Sequence, residues 1–141
     1  MSQVFPSVQW ADALKDAING NANFKRNGID WNHGALALVI EADASAGLER
    51  DMAIWLDLEA GACRQTLFLE GDQARERAAF VIEANYELWK EILQGKTDPN
   101  KALMQLKLKL TKGPLPTVIK QVPAIRELMV SAAHVPAQFA K

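Results

Sequence analysis

The sequence predicts an α+β fold, an antiparallel sheet with helices packed on one face. Three observations carry this reading. Trp10, Ala13, Leu14, Ala17 and Ile18 recur at helical spacing near the start, as do Val118, Ile119, Val122, Ile125, Leu128 and Met129 near the end. Between them, Met52 to Glu59 alternates, with Met52, Ile54, Leu56 and Leu58 on one side, the period of a strand. Finally, Phe80 to Gly113 reads strand, helix, short helix, strand, and this apolar stretch holds no His, Cys or Ser. Such a segment builds a hydrophobic wall rather than a reaction centre.

The elements follow in order. Ser7 after Pro6 suits a helix N-cap, because its hydroxyl accepts from a free backbone N–H. The helix that follows stops at Asn19-Gly20-Asn21, residues that tolerate left-handed conformations. Asn21 to Asn27 is polar, and its pattern is ambiguous. Trp31 to Gly34 leads into a strand over Ala35 to Glu41 that is apolar on both faces and bulkier on one. Ala42 to Arg50 reads as a loop. Ala60-Gly61-Ala62 turns the Met52 strand into a hairpin partner from Cys63 to Glu70, closed by Gly71-Asp72, with a single helical turn at Gln73 to Arg77.

Phe80 to Glu83 forms the fourth strand. Asn85 caps a helix in which Leu88, Trp89, Ile92 and Leu93 share a face before Gly95 ends it. Asp98-Pro99 starts a second helix, since proline at the first helical position loses nothing by lacking N–H. Leu106, Leu108 and Leu110 alternate with Lys107 and Lys109, a strand with one greasy and one charged face. Gly113-Pro114-Leu115-Pro116 breaks it, and Pro123 kinks or restarts the closing helix. A short tail with Phe139 follows Val135-Pro136.

The chain has 141 residues, 49% of them hydrophobic and 23% charged, which suits one domain over residues 1–141 with a real core. Its net charge of −1 leaves no bulk electrostatic case for nucleic acid. Cys63 stands alone and forms no internal disulfide, and no signal peptide or membrane-length apolar run is visible, so a cytoplasmic location is expected.

Chemistry-bearing residues are scattered. His33, Cys63 and His134 are isolated, without the ligand spacing of a metal site or a base beside the thiol, and no cofactor is expected. Asp57 and Glu59 share a strand face, as half-exposed strands commonly arrange. Gly20, Gly28 and Gly34 lie too far apart for a phosphate loop. Lys107, Lys109 and Lys112, with Lys96 and Lys101 nearby, form a basic edge that guards against strand pairing, or meets a lipid headgroup or anionic membrane.

The ordered set of Trp31-x-x-Gly34, Trp55-x-Asp57-x-x-x-Gly61 and the Phe80-to-Trp89 unit resembles the sterol carrier protein 2 (SCP2) family. So do Gly95-x-x-Asp98-Pro99 and Ala102-x-Met104-x-x-Lys107-Leu108-Lys109-x-x-x-Gly113, and together these motifs span roughly residues 10 to 130. The resemblance implies an SCP2-like α+β fold, a five-stranded, mostly antiparallel sheet with helices covering one face and an apolar tunnel between them. It implies non-catalytic binding or carriage of a fatty acid, acyl-CoA, sterol-like molecule or other lipid. The expected lining is Ile54, Leu56, Phe80, Ile82, Trp89, Leu93, Met104, Leu106, Leu108, Ile119, Val122, Ile125 and Met129. One departure stands out: the family often has glycine just before the Lys-Leu-Lys stretch, where this chain has Gln105-Leu106, a leucine that narrows the tunnel mouth or simply packs.

The expected partners are a hydrophobic small molecule or lipid, transient contact with a membrane surface and a weak homodimer, with no nucleic acid. The alternative function is an accessory protein of a lipid or quinone pathway that docks through exposed Trp10 or Trp55.

Overall fold

The computed structural model describes residues 2 to 140. In chain order the elements are β1 (Gln3–Val4), α1 (Val8–Asn19), α2 (Ala22–Asn27), β2 (Leu36–Ile40), β3 (Met52–Glu59), β4 (Ala62–Glu70), α3 (Gly71–Arg77), β5 (Phe80–Ala84), α4 (Tyr86–Leu93), α5 (Pro99–Met104), β6 (Lys109–Lys112), α6 (Leu115–Lys120), α7 (Val122–His134) and β7 (Ala137–Gln138). The main sheet has five strands in the order β4-β3-β2-β5-β6. All its pairs are antiparallel except β2 with β5.

Local chemistry sets most boundaries. The Ser7 hydroxyl accepts from the Trp10 N–H and starts α1, whose Trp10, Leu14 and Ile18 are buried. Asn21 does more than stop that helix. Its side-chain oxygen accepts from the N–H groups of Asn23 and Phe24, capping α2, while its amide donates to Ser131 Oγ at 2.9 Å. The polar stretch after Asn21 is therefore a helix, pinned to α7 by its cap and to the core by Phe24.

The β3–β4 hairpin turns on Ala60 and Gly61, both with positive φ, a conformation whose twist suits the flanking strands. Any side chain at Gly61 would strike the Lys25 backbone, so α2 packs directly on the turn. From β4 the chain does not continue the meander. It crosses back through α3 and places β5 on the far side of β2.

That crossover explains the two apolar faces of β2. Leu36, Leu38 and Ile40 enter the main core with Ile54, Leu56, Phe80, Ile82 and the residues of α1, α4 and α7. Ala37 and Val39 face the other way and meet Ala53, Val81 and the small side chains Ala74 and Ala78 beneath α3. Small residues on this face let the helix sit close to the sheet. Pro123 restarts the chain as α7 after α6, as its missing N–H requires. The tail pairs in parallel with β1, and Phe139 packs on Phe5 and Tyr86.

Arg75 of α3 ties these layers electrostatically. Its guanidinium lies 2.6 Å from Asp51, 2.9 Å from Asp72 and 2.6 Å from Glu83 on β5. The hydrogen bonds to Arg75 hold the carboxyls of Asp51 and Glu83 below their ordinary values of 3.8 and 4.5, despite burial acting the other way. A carboxyl whose folded pKa is depressed stabilises the fold fully above its unfolded pKa and loses that contribution as pH falls through the folded value. Stability is thus expected to decline on acidification below the ordinary carboxylate range. Urea titrations at stepped pH check this, and Glu83→Gln should show a flatter decline than the parent.

Candidate functional site: an apolar groove at the sheet edge

Between the sheet and the helices the interior is filled. A void lined by Phe5, Trp10, Leu38, Ile40, Ile54, Trp89, Leu93, Met129 and Ala132 amounts to about 10 Å³. That is at the lower limit for a single water. A second, lined by Phe24, Trp31, Leu36, Leu58, Ala124, Ile125 and Leu128, has no room for one. The structure does not show the expected tunnel.

The space lies instead in an open groove of about 720 Å³, walled by Leu103 and Met104 of α5, Leu106 and Leu108 of the segment that follows it, Leu110 of β6, Leu115 and Ile119 of α6, and Val122 of α7, with Asn100 and Gly113 completing it. This falls within the size range of small-molecule sites. Four of its apolar side chains are left to solvent: Met104 is 84% exposed, Leu106 77%, Ile119 62% and Leu115 53%.

Short elements create this groove. The Asp98 carboxylate accepts from the Asn100 N–H and, with Pro99, starts α5. The helix soon ends in a complete capping motif. Leu106 N–H donates to Leu103 O at 3.1 Å and Lys107 N–H to Ala102 O at 2.9 Å, with Leu106 itself at φ +61. Glycine is the usual occupant of that left-handed position, and a side chain there costs roughly 1 kcal/mol. The turn puts Leu106 outside the sheet, so β6 begins only at Lys109, and the expected alternation from Leu106 fails at its first residue. Leu106 neither packs nor narrows a tunnel mouth; it stands on the groove wall. At the other end of β6, Gly113 is also left-handed, and a side chain there would collide with the Phe80 ring.

The residues expected to line a ligand site thus fall into two groups. Met104, Leu106, Leu108, Ile119 and Val122 come together in the groove. Ile54, Trp89, Leu93 and Met129 surround the small interior void, and Leu56, Phe80, Ile82 and Ile125 belong to the packed core. The Trp89 indole donates to Val39 O at 2.9 Å, fixing that side chain in place. Leu103, Leu110 and Leu115 are groove residues that the sequence reading missed. Leu115 sits between two prolines and reads as part of a break, Leu103 carries no signal apart from apolarity, and Leu110 shares the alternation of Leu106 and Leu108, the signal that could have found it.

The chemistry-bearing side chains are occupied elsewhere. Cys63 is buried, and burial pushes its thiol up to about 11, so it is protonated at neutral pH. His33 packs against Trp31 and Phe80, with its Nε2 3.3 Å from Gln121 Nε2. Asp57 and Glu59 are both engaged by Arg64. Among the described residues no cluster of three metal-binding side chains occurs. Trp10 is buried, not exposed as the docking alternative required, and the Arg77 guanidinium lies 5.2 Å from the centroid of the half-buried Trp55 ring. On the basic edge, Lys109 pairs with Glu41 at 2.8 Å and Lys112 donates to Arg75 O. No helix among the described residues is long and apolar enough to cross a membrane.

A five-stranded sheet with one parallel pair, helices stacked on its bulky face and an apolar groove by the last strand defines an α+β domain of the sterol-carrier type. The sequence model of the SCP-2 sterol transfer family matches residues 29–120, and the chain belongs to that family. It is similar to a crystal structure of sterol carrier protein 2, with 35% identity, TM-score 0.85, and 92% of this chain and 97% of that one covered. A possible sterol carrier protein from Thermus thermophilus, solved in solution, shows 33% identity and TM-score 0.85 over 98% of this chain and 94% of its own. The apo form of sterol carrier protein 2 from Yarrowia lipolytica shares the fold at 20% identity and TM-score 0.57, covering 95% of this chain and 97% of that one. No curated protein sequence matches the chain.

Proposed function

We propose that this protein binds a lipid with a single long apolar body, such as a fatty acid, an acyl-CoA or a sterol-like molecule, and performs no chemistry on it. It would act in the cytoplasm, where the lone thiol stays reduced. One observation carries the reading: eight apolar side chains converge on a groove of about 720 Å³, and four of them are kept out of the core. Membership of a sterol transfer family supports it.

The energetics are sufficient without a strong polar contact. Burying about a dozen methylenes contributes roughly 10 kcal/mol before ordering costs, and micromolar affinity needs only about 8 kcal/mol. The same arithmetic makes the site tolerant, because one methylene more or less changes binding by about 0.8 kcal/mol, or roughly fourfold. Native mass spectrometry after incubation with a fluorescent fatty acid tests the proposal. A one-to-one adduct, displaced by unlabelled acyl chains of several lengths, is the expected result. No adduct and no fluorescence change with any fatty acid or acyl-CoA would overturn it.

A further inference from the structure

The groove is charged asymmetrically, and this says what it faces. Residues 95 to 122 carry six lysines and a single acidic residue, Asp98, a net of +5 in a chain whose total is −1. The rest of the molecule is therefore clearly acidic. Lys109 and Lys112 are engaged within the protein. Lys107 shares a shallow hollow with Glu87 and Glu91, which offset it. Lys96, Lys101 and Lys120 are exposed and form no ion pair among the described residues. They sit on or beside the same helices, α5 and α6, that with the turn after α5 present Met104, Leu106, Leu115 and Ile119 to solvent.

Leu106 sharpens the point. It occupies a left-handed backbone position that disfavours any side chain, and it buries little of the side chain it keeps there. Packing therefore gives no account of it. Contact with something outside the chain does.

We propose that this face docks on an anionic lipid bilayer, Met104, Leu106, Leu115 and Ile119 entering the interfacial region while Lys96, Lys101 and Lys120 meet the headgroups. Exposed apolar side chains flanked by unpaired cations match the two attractions such a surface offers. A second copy of the chain suits the face poorly, because a two-fold interface would set Lys96, Lys101 and Lys120 of one copy against the same three lysines of the other. The proposal builds on the groove reading: docked this way, the groove opens onto the bilayer, and a lipid passes between them without crossing water.

Co-sedimentation with two kinds of vesicle tests this, one of phosphatidylcholine alone and one containing about a third phosphatidylglycerol. Binding to the anionic vesicles only, weakened by salt, is expected. Each lysine near an anionic surface is worth about fivefold in partitioning, so Lys96→Gln/Lys101→Gln/Lys120→Gln should lower it roughly a hundredfold. Met104→Gln/Leu106→Gly should lower it at least about tenfold, and Lys25→Gln, away from the face, should leave it unchanged. Circular dichroism establishes that each variant folds. Equal binding to both vesicles, no binding to either, or a dimer that Leu106→Gly dissociates would overturn the proposal. Fatty-acid uptake from vesicle-free solution is measured alongside. A protein that takes up the fatty acid and ignores vesicles loses the docking face but keeps the groove; one that takes up none loses the groove reading itself.

Discussion

Replacing Ile119 with glutamate is expected to weaken binding of a fluorescent fatty acid roughly a hundredfold while leaving the fold intact. Ile119 lies on the groove wall with most of its surface already in solvent, so a carboxylate there costs the folded state little. Against a bound acyl chain the same carboxylate must shed water with no hydrogen-bond donor to replace it. That cost is at least about 2–3 kcal/mol, or roughly a hundredfold in affinity. Titration of the variant beside the parent measures it, with thermal unfolding as the control. Near-parental affinity would place the lipid elsewhere. A matched change in the packed core, such as Ile54→Glu, would not separate the possibilities, because it would unfold the protein.

Arg75→Ala should cause the largest loss of stability among single surface-facing changes. Its partner Glu83 is only 8% exposed and keeps just the Thr111 hydroxyl once the guanidinium is gone. Removing one member of a largely buried pair leaves the other charge poorly solvated, an effect of about 2–4 kcal/mol. The urea midpoint should therefore fall by about 1–2 M. Asp51 suffers less, since it is more exposed and still accepts from the Ala42 N–H. The double variant Arg75→Met/Glu83→Leu removes both charges and should recover to within about 1 kcal/mol of the parent. Failure of that recovery would mean that Arg75 acts through its other carboxylates, clamping α3 to the loop before β3.

Most of the architecture is legible because local chemistry and the hydrophobic pattern agree. Ser7, Asn85 and Asp98 cap the helices that their positions predict. The β3–β4 hairpin, the edge position of β6 and the restart at Pro123 likewise follow from turn residues and alternation. The order of strands does not: placing β5 beside β2 depends on a crossover that no local signal encodes. Asn21 reads only as a helix stop, because its second role, bonding Ser131, is a contact over 110 positions of sequence.

The site is half legible. Periodicity marks which residues are apolar and on which face they lie. It does not say whether a face meets protein or solvent. Trp89 and Met129 share their helical stripes with core neighbours, and the helices close over them. Met104 and Leu106 look no different in sequence, yet α5 has only six residues and ends before it can cover them. Leu106 reads as a strand residue because Leu-Lys alternation continues through it. The capping bonds from Leu106 and Lys107 back to α5 outweigh that pattern.

The account rests on where a lipid sits, and a methyl-resolved NMR titration with a saturated fatty acid reads this directly. The predicted result is that the methyl signals of Leu106, Leu115, Ile119 and Val122 shift together with ligand concentration, while those of Leu36, Leu38 and Ile54 stay in place. Shifts confined to the interior methyls, or none at saturating fatty acid, would contradict it.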